Sequence, residues 1–324
     1  FPILQKMVKA LLLCGLLIAC CLAQTIPKDP TPHNTQEFDL EYGDFNEQLL
    51  PQTEGDRVMQ STYPKIRIST DYTHLTAGTQ SFKTYIQTQL IPAIVSYLQA
   101  AVTVKYPLTS PIKATTSTLC GFSTPSILKT GVNSDLHVIF NSVASSGWIA
   151  ATTLCMVSTG VKRPLIINIG INTNAVVIPT ISDPLTHDLN INVLTHEFIH
   201  GLGLNGALFN NFVDAYGNPL TNHIKSVTLS GTKRTVLDLP PLTTRLRNFY
   251  GCSTIPGYFL ENDGTAHPEN RFFQWDIMST GGVTGSKISQ FTLGFLEGTG
   301  WYIPNYNYAE PYFFGQGEGC AFYA

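Results

Sequence analysis

Two histidines four residues apart, with a glutamate directly after the first, stand in the stretch HEFIH at 196 to 200. On an α-helix, residues at that spacing project from one face, so His196 and His200 can turn a ring nitrogen toward the same ion. In the known mechanics of this spacing Glu197 does not bind the ion but approaches a water held by zinc as a general base, which implies metal-assisted hydrolysis. The plainer alternative, a chance pair of helical histidines, weakens because both lie in an otherwise apolar stretch. Buried imidazoles there need partners, and an ion supplies them. A catalytic zinc takes three protein ligands and keeps one open position. The run HEFIHGLG would place the third histidine at position 206, and that residue is Gly206.

The third ligand must therefore come from elsewhere. His187 is close upstream and cannot easily reach round; His223 reads as a surface residue in a polar loop. Glu261 has the chemistry of a thermolysin-like third ligand without the helical setting. Asp214, in VDAYG, is similar to the aspartate of aspzincin peptidases, although the Gly-Thr that normally precedes it is missing. His267 fits best, in GTAHPENRFFQWDIMSTGG, because Met278 follows it by 11 residues. In metzincins a methionine in a tight turn lies beneath three histidines, and Gly203 would let the chain turn away from the helix.

Those residues need elements to hold them. PKIRIST alternates as a strand does, and Ser81 to about Val104 carries apolar residues at helical spacing, with a kink expected at Pro92. LHVIF at 136–140 and PLIINIGI at 164–171 are short and β-branched, as sheet strands are. NVLTHEFIHGLGL is helical in period and punctuated by Gly201 and Gly203, so the histidines belong near the C-terminus of a buried helix. Strands with two long helices imply a mixed α/β (α+β) domain. Beyond Leu204 the composition reads as loop-rich.

The 324 residues, 43% of them hydrophobic, suffice for a packed core. With 19 basic against 22 acidic side chains and no basic cluster, nucleic acid is excluded as a partner. From Met7, MVKALLLCGLLIACCLAQ has the cationic head, apolar middle and small-residue end of a secretory signal, expected over 1–23; its LIAC also resembles a bacterial lipoprotein box. Residues 24–63 read as a polar, acidic leader or propeptide. Outside the signal, Cys120, Cys155, Cys252 and Cys320 remain, an even count that implies two disulfides in one of three connectivities. No second apolar stretch of membrane-spanning length appears, so the expectation is a secreted or peripherally surface-attached monomer.

From about Lys65 to its end the sequence resembles the leishmanolysin family, metzincins in which a long insertion separates HExxHxxG from the third histidine. KIRISTDYTHL, LIPAIVSYL, LCGFSTP, KTGVNSDLHVIF, RPLIINIGIN, FYGCSTIPGYFLENDG and YAEPYFFGQGEGCAFY all look like segments of that family in the same order. The resemblance implies a metzincin-type catalytic domain in two parts, 64–204 with the active-site helix and 205–324 with the third ligand. It implies one zinc held by His196, His200 and His267, with Glu197 as acid/base and Met278 in the Met-turn. Cys120 would pair with Cys155 and Cys252 with Cys320. The implied activity is hydrolysis of internal peptide bonds in proteins or peptides, the substrate extended beside the strand at Ile166 to Ile171, with a possible role in adhesion. The rival from another class is a non-catalytic adhesion protein on the same scaffold. Two departures stand out: Asp276 occupies a position where the family usually has Glu, and no cysteine between Cys21 and Cys120 could hold the zinc latent.

Overall fold

The computed structural model describes residues 41–43 and 63–323, apart from 146, 181–182, 184, 230, 262–265 and 281–284. The signal expected at 1–23 and nearly all of the leader expected at 24–63 lie outside the described residues.

The β-branched runs form one sheet. Its strands are β1 (Glu41–Gly43) and β2 (Ile68–His74), then, after short strands β3 (Val102–Val104), β4 (Thr118–Leu119) and β5 (Phe122–Ser123), β6 (Leu136–Val143), β7 (Ala150–Ser158) and β8 (Pro164–Asn172). The spatial order is β1-β7-β8-β6-β2. β2, β6 and β8 run parallel, β7 runs antiparallel to β8, and β1 lies parallel on the outer side of β7 at Met156 to Ser158. All nine residues of β8 are buried, as befits a central strand covered on both faces. On one face Ile167 and Ile169 meet Phe198 and Ile199 in the main core. On the other, Ile166 and Ile139 pack with Ile112 and Leu128 of the loop leading into β6. A bond between Cys120 and Cys155 fastens that loop to β7.

The central place of β8 corrects one expectation. An extended substrate cannot lie beside Ile166 to Ile171, because that stretch is hydrogen-bonded to β6 on one side and β7 on the other. Alternation and burial alone do not reveal which strand is outermost. The antiparallel strand at the side of the sheet that carries the catalytic-type residues is β7, whose Ala150 to Leu154 have no strand partner on their outer side among the described residues.

The helix expected from Ser81 to Val104 is shorter and compound. α1 (Gln80–Tyr85) passes through a π-helical turn (Ile86–Leu90) into α2 (Ile91–Ala101). Thr79 caps its start by accepting the Phe82 N–H. Pro92 stands in the first turn of α2, where a missing N–H is tolerated, and the interruption there takes the form of changed winding. Val102 to Val104 leave the helix because they pair antiparallel with Tyr302–Pro304.

α3 (Leu185–Leu202) carries HEFIH in its last two turns. Gly203 ends it at φ 152°, where a side chain would press on Thr299 and Trp301, so the turn asks for glycine.

Past Leu204, where loops were expected, the chain builds a three-stranded antiparallel sheet of β9 (Ile224–Leu229), β10 (Thr232–Leu237) and β11 (Tyr258–Phe259), together with α4 (Pro240–Tyr250) and α5 (Gln290–Gly298). α4 has proline in its first turn and left-handed Gly251 just past its end, the usual start and stop signals. Phe249 of α4 meets Phe291 of α5 edge to face at 4.9 Å between centroids. Cys320 is bonded to Cys252, which ties the chain's final turn to the end of α4. Buried residues from Ile66 to Tyr323 belong to one core cluster spanning both halves.

Candidate metal centre

The four-residue spacing on α3 brings the Nε2 atoms of His196 and His200 to 2.9 Å from each other. His267 arrives from the other half of the molecule. The backbone N–H of Glu261 donates to the His267 carbonyl and that of Glu269 to Phe259, so the segment around His267 continues the pairing begun by β11. Its Nε2 lies 3.1 Å from that of His196 and 3.2 Å from that of His200. All three rings are buried.

Hydrogen bonds on the far side of two rings orient the cluster. Nδ1 of His196 lies 2.7 Å from the Ile277 carbonyl and Nδ1 of His200 lies 2.6 Å from the Leu204 carbonyl. A carbonyl only accepts, so each Nδ1 carries a proton and Nε2 is the ring atom turned toward the cluster. Nε2 atoms 2.9 Å apart are close enough to share one cation. Ring nitrogens about 3.3 Å apart are what a tetrahedral zinc with bonds of about 2.0 Å requires, so the residues fit a metal ion. Among the described residues this trio is the cluster of potential ligands that could hold one.

The other candidates are elsewhere. Asp214 accepts the N–H groups of Tyr216 and Asn218 and the Asn218 amide, and these bonds hold its carboxyl below the usual range against the opposing effect of burial. It is the hub of its own turn. Glu261 accepts the Asn270 N–H at the start of a short helix, and His187 shares a hydrogen bond with the Tyr85 hydroxyl. His223, expected at the surface, is buried and donates from Nε2 to the Phe209 carbonyl; the polar sequence around it gave no hint that its ring turns inward beside Phe212 just before the exposed start of β9.

Glu197 is buried beside the histidines. The Thr152 hydroxyl of β7 lies 2.8 Å from its Oε2 and 2.8 Å from its main-chain carbonyl. Asp276 is buried below Ile277 and accepts from the Met278 N–H at 2.8 Å, from the Thr292 hydroxyl at 2.9 Å and from the Ser289 hydroxyl. Complete burial pushes its carboxyl up to about 6 even though these three donors favour the charged form. Met278 is fully buried in the turn that follows. Asp276 thus binds the turn to the first turn of α5, where Ser289 is also the helix cap. Thr152, Ile277 and Leu204 were not singled out from the sequence; one threonine among many and two main-chain carbonyls leave no pattern there.

A model of the leishmanolysin family matches residues 74–324, and with them every histidine of the cluster. The chain belongs to the leishmanolysin family. The leishmanolysin-like peptidase of Caenorhabditis elegans is 28% identical over 206 residues, which is 52% of this chain and 30% of that protein. Danio rerio ciliated left-right organizer metallopeptidase is 31% identical over 145 residues, 42% of this chain and 23% of that protein. Leishmanolysin of Leishmania tropica is 28% identical over 198 residues, 59% of this chain and 28% of that protein. This leishmanolysin-family chain therefore spans less than a third of the length of these relatives. None of its described helices is long and apolar enough to cross a membrane.

Proposed function

We propose that this chain is a zinc metalloendopeptidase of metzincin type, with His196, His200 and His267 as ligands. The observation that carries the reading is the convergence of three buried Nε2 atoms at 2.9 to 3.2 Å from one another, with Nδ1 of His196 and of His200 each turned to a main-chain carbonyl, the spacing that one small cation would join. Zinc bound there would supply Lewis-acid chemistry, acidifying water and polarising a carbonyl oxygen. Glu197 would take a proton from the attacking water and pass it to the leaving nitrogen, its carboxylate serving first as base and then, protonated, as acid. Ile277 and Leu204 fix the tautomers of His196 and His200, which keeps both rings aimed while charge develops. A peptide extended along the outer edge of β7 at Ala150 to Leu154 would pass close to Glu197, and backbone hydrogen bonds there would tolerate varied sequences. Met278 forms the Met-turn under the site, and the protein acts as a secreted or peripherally attached monomer on protein or peptide substrates.

The test is zinc content and casein cleavage by the purified chain, beside Glu197→Ala and with a zinc chelator. The expected result is cleavage that the chelator abolishes, and a Glu197→Ala protein that keeps zinc and loses cleavage. A chain that binds zinc and never cleaves, with residues 24–63 removed as well as present, would instead favour the non-catalytic adhesion reading.

A further inference from the structure

Thr152 belongs to β7, not to the zinc-binding motif, yet its buried hydroxyl sits between two oxygens of Glu197, 2.8 Å from each. One of these is the carboxyl Oε2; the other is the main-chain carbonyl of the same residue. A hydroxyl has one proton to give and lone pairs to receive. The hydroxyl thus ties the Glu197 carboxyl to the main chain of its own residue, and either oxygen can take the threonine proton by rotation about one bond. The backbone of Thr152 is fixed by its pairing with Ile169 of β8, so the hydroxyl is anchored to the sheet.

We propose that Thr152 is a positioning residue that, anchored in β7, holds the Glu197 carboxyl in place beside the histidines. This rests on the reading of Glu197 as the proton carrier.

The decisive variants are Thr152→Val, which keeps the shape and removes the hydroxyl, and Thr152→Ser, which restores it. In the zinc-loaded full chain, Thr152→Val should lower kcat about 10- to 100-fold, the scale of a catalytic group misplaced by about an ångström or less. KM and zinc content should stay near wild type, and Thr152→Ser should recover most of the rate. A purely structural role would cost thermal stability and leave kcat intact well below the melting transition; that result overturns the proposal. Crystal structures of the two variants give a readout independent of turnover: the Glu197 carboxyl should leave its position in Thr152→Val and keep it in Thr152→Ser. An unmoved carboxyl in Thr152→Val also overturns the proposal. If Glu197→Ala remains active, the reading of Glu197 itself fails; if Glu197→Ala is inactive while Thr152→Val turns over at the wild-type rate, only the role of Thr152 fails.

Discussion

Nδ1 of His196 lies 2.7 Å from the carbonyl oxygen of Ile277, 81 positions further along the chain. This one bond joins the helix that carries two candidate ligands to the turn that carries Met278. The turn is in its own right held by Asp276, so the ring orientation of His196 depends on a carboxyl bonded to Met278, Ser289 and Thr292.

Replacing Asp276 with alanine removes the acceptor for the Met278 N–H and for the Ser289 and Thr292 hydroxyls at once. Each buried donor left without its partner costs about 1–3 kcal/mol. The expected loss is several kcal/mol in urea unfolding, accompanied by weaker zinc retention against a chelator because the Ile277 carbonyl is no longer fixed. A variant that unfolds at the wild-type midpoint would show that the turn is held by other contacts.

His267→Ala leaves the two ligands of α3 and removes the one that joins the halves. Zinc affinity should fall by about 100-fold or more, since even the loss of a residue supporting a ligand costs 10- to 100-fold. Wild-type protein at a free zinc concentration of about 1,000 times Kd gains about 4 kcal/mol of stability. The variant should lose most of that gain, and calorimetry with and without zinc reads the difference directly.

His137 is buried on β6 with Nδ1 bonded to the Ser69 hydroxyl, and burial lowers its pKa from 6.5 to about 4, against the opposing pull of Asp71. Between about pH 6.5 and 4 the unfolded chain binds a proton at this position that the folded chain does not. Stability from this residue is therefore full above pH 6.5 and is lost as pH falls toward 4, by about 3 kcal/mol at 1.36 kcal/mol per pKa unit. Unfolding midpoints measured across that window should fall less steeply in His137→Gln than in wild type.

Opening the Cys252–Cys320 bond, which spans 68 residues, frees the final turn of the chain from α4. The chain-entropy relation gives about 4 kcal/mol for a loop of that size. The Cys252→Ala/Cys320→Ala protein should unfold at correspondingly lower denaturant, while Cys120→Ala/Cys155→Ala should leave the C-terminal half's contribution unchanged.

The sequence made the catalytic-type helix plain, because His196, Glu197 and His200 impose a helical period and Gly203 marks its end. It also made β6 and β8 plain through their β-branched runs. It hid the neighbourhood of β8, since strand order is a long-range property that no local pattern encodes. The helix at Pro240 was missed, though proline at its start, Gly251 at its end and Leu242, Leu246 and Phe249 at helical spacing mark it, because its many Thr, Arg and Asn residues look like loop composition. The end of α2 at Ala101 was set by pairing of Val102 to Val104 with residues nearly 200 positions away, a tertiary preference that overrides local period. Thr152 and Asp276 were invisible as site residues because their chemistry lies in whom they face.

The three imidazoles reach their common point at very different moments of chain growth. A nascent polypeptide that has just passed Leu204 already possesses the helical pair, a weak two-toothed chelator. The third tooth becomes available only after another 67 residues from His200 have been made and β10 has folded against β11. If the trio holds zinc as proposed, tight capture would have to wait for the second half of the chain, so uptake of the ion would mark finished assembly, and chelation should loosen the later half before it disturbs the large sheet.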